Sequence, residues 1–300
     1  MHGKVVVITG ATSGIGQAAA ERLAGMGARI VAVARDRARA ETTLARLRAR
    51  GPGLAHRAHY ADLSSMAETH RVAAEIAAAE SRVDVLINNA GALFNARRVT
   101  PEGLEQTFAL NHMSYVLMTR GLRERLQAAA PARVINTASG AHRRVDALDF
   151  DDLQMTRGYR GLQAYGRSKL CNILYTRELA RRLAGTGVTA NSLHPGFVAT
   201  RFGDESGGLF AWVVRAAKLV GAISLEKGSD TLVYLASSPE IATISGGYFF
   251  ERRLAHPTRH AQDDAAARRL WDLSESLGSG LTLRHFPDPG ESSSDRNVAM

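Results

Sequence analysis

The chain has 300 residues, 45% hydrophobic and 22% charged, a composition ordinary for a globular protein and long enough for one α/β unit with a large core. Its one cysteine, Cys171, excludes an intrachain disulfide; this fits a reducing, cytoplasmic setting and reads as a small apolar packing residue. The net charge of +9 comes mostly from scattered arginines (Arg35, Arg37, Arg39, Arg46, Arg48, Arg50, Arg181, Arg182), and with only 6% aromatics no base-stacking platform, and hence no nucleic-acid partner, is expected.

Met1-His2-Gly3-Lys4 leads straight into Val5-Val6-Val7-Ile8, an apolar run too short for a signal segment. With no run of about eighteen apolar residues, neither a membrane anchor nor a spanning helix is expected. Val5 to Thr9 has the β-branched pattern of a strand buried on both faces. Gly10-Ala11-Thr12-Ser13-Gly14-Ile15-Gly16 follows, and then an Ala-rich helix from Gln17 to Met26. Strand, glycine loop and helix together make a candidate phosphate cradle, because glycines let the backbone approach a pyrophosphate and the helix start offers free N–H groups. Ala28 to Ala34 reads as the second strand. At its end Arg35 is the candidate for the 2′-phosphate of NADP, with Asp36 capping the next helix. The alternative is Asp36 on the ribose hydroxyls of NAD, with Arg35 a surface charge.

Arg37 to Arg50 is a helix ended by Gly51-Pro52-Gly53, and the third strand runs from Leu54 to Tyr60, into Asp62-Leu63. Ser64 or Ser65 caps a helix ending near Glu80. Val83 to Ile87 is a fourth buried strand, broken at Asn88-Asn89-Ala90-Gly91, either a ligand-facing strand end or a plain Asn-rich turn. Thr100-Pro101-Glu102 predicts the start of a long helix to about Ala129, with Asn111, a poor helix former, inside it. Val134 to Ala138 is the fifth strand, ending at Ser139-Gly140, and Ala141 to Gly161 is an irregular loop. A helix then carries Tyr165, Lys169 and Cys171 to near Leu183. Val188 to Leu193 is the sixth strand, followed by His194-Pro195-Gly196 and Thr200. The apolar stretch Gly207–Gly221 reads equally as a substrate flap, around 201–223, or as a core helix. Leu225–Ala236 is a helix, Tyr248–Phe250 a last strand and His260–Leu277 a terminal helix. The Pro/Gly/Ser-rich residues 284–300 predict a disordered tail after one domain over 1–283. No metal-ligand cluster is expected.

Tyr165 and Lys169 lie four apart and so share one helix face. On spacing alone this is a common surface pair. Together, however, the motifs resemble the short-chain dehydrogenase/reductase family over residues 3 to 278. Thr9-Gly10-Ala11-Thr12-Ser13-Gly14-Ile15-Gly16 looks like its cofactor loop, Asn88-Asn89-Ala90-Gly91 like its sheet-stabilising motif, and Asn111, Ser139, Tyr165 and Lys169 fall in the order of its catalytic tetrad. The 139–165 gap with Phe150-Asp151-Asp152-Leu153, Ser168-Lys169-Leu170 with Asn172, Thr176-Arg177-Glu178-Leu179 and the phrase from His260 to Leu277 are similar to its retinol-dehydrogenase-like and protochlorophyllide-reductase-like branch.

The resemblance implies a doubly wound parallel sheet of Rossmann type with about seven strands. It implies an oxidoreductase that favours NADP(H) over NAD(H), acts on an apolar alcohol or carbonyl, and assembles as a homodimer or homotetramer through the helices 102–129 and 161–183. The implied cofactor contacts are Gly10, Thr12, Ser13, Gly14, Ile15, Gly16, Arg35, Asp62, Leu63, Asn89, Ala90, Gly91, Tyr165, Lys169, Pro195, Gly196, Val198 and Thr200. Ser13 stands where some NADP-binding relatives carry a base, so the NADP expectation rests on Arg35. In the implied chemistry Tyr165 is the general acid and base, Lys169 lowers its pKa, Ser139 holds the substrate oxygen and Asn111 anchors a water leading to Lys169. A non-catalytic NADP-binding redox sensor is the alternative; it would need the glycine loop but not Tyr165 with Lys169.

Overall fold

Val5, Val6, Val7, Ile8 and Thr9 form strand β1, buried at all five positions. Because a strand alternates its side chains, Val5 and Val7 enter one core layer and Val6 and Ile8 the other. Both layers need helical cover, and the chain supplies it by alternating strands with helices. The protein is described from a computed structural model covering residues 1–196 and 224–279. Val198, Thr200, the 201–223 flap and the 284–300 tail therefore lie outside the described residues.

β1 is joined by β2 (Arg29–Ala34), β3 (Arg57–Tyr60), β4 (Val85–Asn88), β5 (Ala132–Thr137), β6 (Val188–Leu193), β7 (Tyr248–Phe250) and β8 (Arg253–Leu254). The sheet order is β3-β2-β1-β4-β5-β6-β7-β8, parallel throughout except for the β7–β8 pair. This is the expected doubly wound sheet, with eight strands where about seven were predicted. The extra strand is a two-residue edge piece turned back by Glu251 and Arg252, both with positive φ. The strand order reverses between β1 and β4, and there the ends of an open α/β sheet leave a crevice.

Helices α1 (Gly14–Gly25) and α2 (Arg37–Arg50) cover one face and α3 (Met66–Ala79) the other. The predicted caps hold: Asp36 Oδ1 accepts from Arg39 N, and of the two serines offered Ser65 caps α3, its Oγ accepting from Glu68 N.

The predicted long helix from residue 102 is corrected. Thr100 to Gly103 closes a turn, with Gly103 at φ 80° and its N–H bonded to the Thr100 carbonyl, and a left-handed residue cannot sit inside a helix. Helix starts instead at α4 (Gln106–Phe108), where the buried Glu105 carboxylate accepts from Thr107 N and Phe108 N. A π-helical stretch (Ala109–Met113) then leads into α5 (Ser114–Gly121) and α6 (Arg123–Ala128). Asn111 lies in that π stretch, the physical reason for an amide in mid-helix, since such bulges turn a side chain out of the regular register.

α7 (Gly161–Arg182) is buried around most of its girth from Ala164 to Leu179. α8 (Leu225–Ser237) packs on α1, capped by Ser224. α9 (Asp264–Gly278) starts four residues later than predicted, because Asp263 caps it and residues 259–262 form a 3₁₀ turn. α9 seats Ala267, Leu270, Ser274 and Leu277 in the core and stacks Trp271 on Tyr175 of α7, ring centroids 5.3 Å apart. Its contacts reach α5 as well. α9 thus occupies part of the helical surface expected to meet a second copy. No described helix is long and apolar enough to cross a membrane.

Candidate active site

The glycine loop shows why its spacing matters. Gly10 has φ 68°, and a Cβ there would lie 3.0 Å from the Ala90 Cα; a Cβ on Gly16 would collide with the Gly10 carbonyl and Asn89 Nδ2. The loop is folded tightly against Asn89-Ala90-Gly91. Thr9 Oγ1 accepts from the N–H groups of Asn89 and Ala90, and Asn89 Nδ2 donates to the Thr9 carbonyl. Ser13 stands at the cap position of α1 without a cap hydrogen bond, whereas α2, α3, α8 and α9 each have a capping side chain. The first N–H groups of α1 are left for an outside acceptor, and the dipole favours an anion there. Gly10, Gly16 and this bare helix start fit a dinucleotide pyrophosphate.

The Asn-rich turn is a buried strut rather than a solvent turn. Asn88 Nδ2 donates to Asn136 Oδ1 and Thr119 Oγ1, and Asn136 Nδ2 donates to Thr176 Oγ1. Four elements, β4, β5, α5 and α7, are thereby tied at the crevice by neutral hydrogen bonds in low dielectric.

Lys169, from α7, reaches into this corner. It is 2% exposed, and its Nζ donates to the Thr137 carbonyl at 2.9 Å. Gly91 leaves room for it: a Cβ there would come within 3.4 Å of Nζ and 3.1 Å of Asn111 Oδ1. Burial pushes the Lys169 amine down to about 7. Tyr165, one turn earlier, keeps a solvent-facing edge. Burial pushes its phenol up to about 12, and a hydrogen bond with Ser139 draws it part of the way back. Nζ stands 5.6 Å from the Tyr165 ring centroid, and burial of the phenol outweighs any lowering by the amine.

Ser139 lies two residues past β5 and opens the 3₁₀ turn Gly140–Arg144, where its Oγ accepts from Ala141 N and its carbonyl meets His142 Nδ1 at 2.7 Å. Asn111 uses both amide hydrogens, on the Ala92 carbonyl and Ser168 Oγ, while Oδ1 accepts from Ala92 N. It pins the loop after Gly91.

Arg35 is exposed at the end of β2, beside Arg37, whose guanidinium lies 4.2 Å above the Tyr60 ring centroid. Asp62 is exposed and accepts from Ser64 N and Oγ, while Leu63 belongs to the core beneath. Pro195 and Gly196 follow β6, with Gly196 N–H on His194 Nδ1. Thr12, Gly14 and Ile15 lie along the loop. Among the described residues, most of the predicted set gathers at one end of β1, β4, β5 and β6, with Arg35 after β2 and Asp62 after β3 further along the same sheet.

Sequence reading did not assign His112, Asn172 or Ser274 to the site. Asn172 lay in plain view one turn beyond Lys169 on the same face, and a polar residue at that buried position was the available signal.

Residues 4–207 match the family model described as short chain dehydrogenase. The chain is 39% identical to human retinol dehydrogenase 14, over 92% of this chain and 87% of that protein, and 39% identical to human retinol dehydrogenase 13, over 92% and 84%. Among solved structures, a protein from Mycobacterium paratuberculosis superposes with a TM-score of 0.73 at 28% identity, covering 93% of this chain and 94% of that one. The Pseudomonas aeruginosa RhlG/NADP active-site complex superposes with a TM-score of 0.66 at 29% identity, covering 83% and 94%. The chain belongs to the short-chain dehydrogenase family, in its retinol-dehydrogenase-like branch, and is an oxidoreductase acting on alcohol or carbonyl groups.

Proposed function

We propose that this chain is an NADP(H)-dependent oxidoreductase of an apolar alcohol or carbonyl compound, with Tyr165 as general acid and base. The observation that carries this reading is the meeting of Tyr165, Ser139 and the buried Lys169 at the crevice beside the glycine cradle. When bound, the nicotinamide supplies or accepts a hydride. The loop from Gly10 to Gly16 would hold the pyrophosphate, Arg35 the 2′-phosphate, Lys169 the nicotinamide ribose, and Val198 and Thr200 would follow Pro195 and Gly196 along the nicotinamide side.

Ser139 orients the substrate oxygen and stabilises the charge that grows on it. In reduction the Tyr165 phenol, protonated at neutral pH, donates its proton to that oxygen; in oxidation it takes one away. The Lys169 ammonium supports the phenolate left behind. A sensor without chemistry would have no use for this trio. The apolar substrate class is supported by relatives named as retinol dehydrogenases, and NADP by a neighbour in complex with it. A single free, buried cysteine fits a cytoplasmic location.

The direct test is NADPH consumption against aldehydes and ketones of increasing chain length. Rates rising with apolar chain length are expected, and no NADPH consumption with any of them would defeat the proposal. For the cofactor, Arg35→Ala is expected to weaken NADPH binding by about 10- to 100-fold, on the scale of a charge-assisted hydrogen bond, and NADH binding by no more than about twofold. Equal losses in the two dissociation constants would remove Arg35 from the 2′-phosphate.

A further inference from the structure

The hydrogen bonds behind Lys169 have a direction. Asn172 is fully buried on α7, one turn beyond the lysine. Its Nδ2 lies 2.9 Å from the Asn111 carbonyl oxygen and 3.3 Å from that of Thr137. Both are acceptors, so the NH₂ faces them and Oδ1 faces away. There Oδ1 meets His112 Nδ1 at 3.2 Å, and an amide oxygen needs a donor, so Nδ1 carries the ring proton. His112 Nε2, 2.9 Å from Ser274 Oγ on α9, then accepts from that hydroxyl. Burial pushes the His112 pKa down to about 4, so the ring stays neutral and this tautomer is the one that satisfies every partner. Donation runs from Ser274 to His112 to Asn172 and ends on two main-chain carbonyls.

One of those carbonyls is shared with the site. Thr137 O is approached by Lys169 Nζ at 2.9 Å, Asn172 Nδ2 at 3.3 Å and the Tyr115 hydroxyl at 3.5 Å. A carbonyl oxygen has two lone pairs, so three donors compete for it. The Asn111 carbonyl, the other nearby acceptor, is already engaged by the amide. We propose that Asn172, held by His112 and Ser274, is a positioning residue for Lys169: it engages the two carbonyls at the buried end of the crevice, so the lysine's remaining hydrogens turn toward Tyr165 and the cofactor crevice. This rests on the Tyr165–Lys169 reading above.

The titratable groups facing Nζ are Tyr165 from α7, Tyr115 from α5 and His112 from the π stretch. Without the amide, the Thr137 carbonyl falls to the ammonium, which draws Nζ inward and raises its proton affinity.

Two measurements on the full chain decide the matter. In ¹⁵N NMR, the His112 imidazole is expected as the neutral Nδ1–H tautomer from about pH 5 to 9; an Nε2–H tautomer, or titration near the ordinary histidine value of about 6.5, would overturn the donor direction and the proposal with it. In Asn172→Leu, which keeps much of the volume without polar atoms, kcat is expected to fall about tenfold with the NADPH Kd within about twofold. The limb of the kcat–pH profile that reports Lys169 is expected to move up by about one pH unit. A lower kcat with an unmoved profile would show the amide to be structural only. If Asn172→Leu does not fold, Ser274→Ala removes the far link and is expected to shift the His112 ¹⁵N signals and the same limb upward; an unmoved limb overturns the proposal. Tyr165→Phe, run alongside, separates the two failures. Turnover kept in Tyr165→Phe defeats the acid–base reading, whereas turnover lost there with an unmoved profile in Asn172→Leu defeats only this proposal.

Discussion

Tyr165→Phe is expected to lower kcat by about a thousandfold while leaving the NADPH dissociation constant within about twofold, the range in which general acid–base catalysis operates. The change removes one oxygen and keeps the ring, so packing around α7 is preserved. With Tyr165 as the proposed acid, what would be lost is the proton delivered to the substrate oxygen as charge develops on it. Ser139 can still hydrogen-bond that oxygen, so the variant retains substrate orientation and part of the charge stabilisation. The phenol's pKa of about 12 means that in the wild type the proton is in place across the neutral range. Reduction should therefore proceed without a requirement for low pH, while oxidation should be favoured as pH rises. Fluorescence titration with NADPH and steady-state rates on one responsive carbonyl measure both quantities. A variant keeping most of the wild-type rate would remove Tyr165 from the chemistry.

Lys169→Met is expected to abolish turnover and yet make the protein more stable at pH 7. The lysine is 2% exposed, and its pKa falls from the ordinary 10.5 to about 7 by burial alone. In the unfolded chain it titrates at the ordinary value. Between about pH 7 and 10.5 the unfolded state therefore binds more protons than the folded one, and stability rises with pH across that window. Below about 7 this contribution is flat, and the cost of burial is present in full. Methionine, a thioether of similar length, avoids that cost, which is on the order of a few kcal/mol after the lost bond to the Thr137 carbonyl is discounted. Thr137 O keeps Asn172 and Tyr115 as donors, so no acceptor is orphaned. Urea unfolding at pH 7 and at pH 10 measures the effect. The variant should be more stable at pH 7, with the gap closing by pH 10. A Met variant less stable at pH 7 would show that the buried ammonium stabilises the fold.

The parts legible in the sequence were those governed by local rules. The β-branched run Val5–Thr9 had to be buried on both faces, and Gly10 and Gly16 had to be glycine because any Cβ there meets Ala90, Asn89 or the loop's own carbonyl. Asp36 and Ser65 announced their helices by capping chemistry. Where a local rule misled, a stronger one close by had won. Pro101 and Glu102 look like a helix start, but Gly103 takes a left-handed conformation and Glu105 does the capping.

The order of Asn111, Ser139, Tyr165 and Lys169 was readable, and so was the family; their electrostatics were not. Spacing puts Tyr165 and Lys169 on one helix face, but desolvation depends on what the rest of the chain packs around them. That packing, not the four-residue interval, sends the phenol up and the amine down. The same holds for the line of donors behind them. His112 and Ser274 are 162 positions apart, and no periodicity on either helix could pair them. By itself the sequence determined the alternating strands and helices, the tight glycine loop and the placing of Tyr165 and Lys169 on one helix face, because these follow from backbone sterics and helix periodicity. Only the tertiary structure decided how deeply Lys169 is buried, which carbonyl it shares and with whom, because hydrogen-bond partners and local dielectric are set by elements that meet in space.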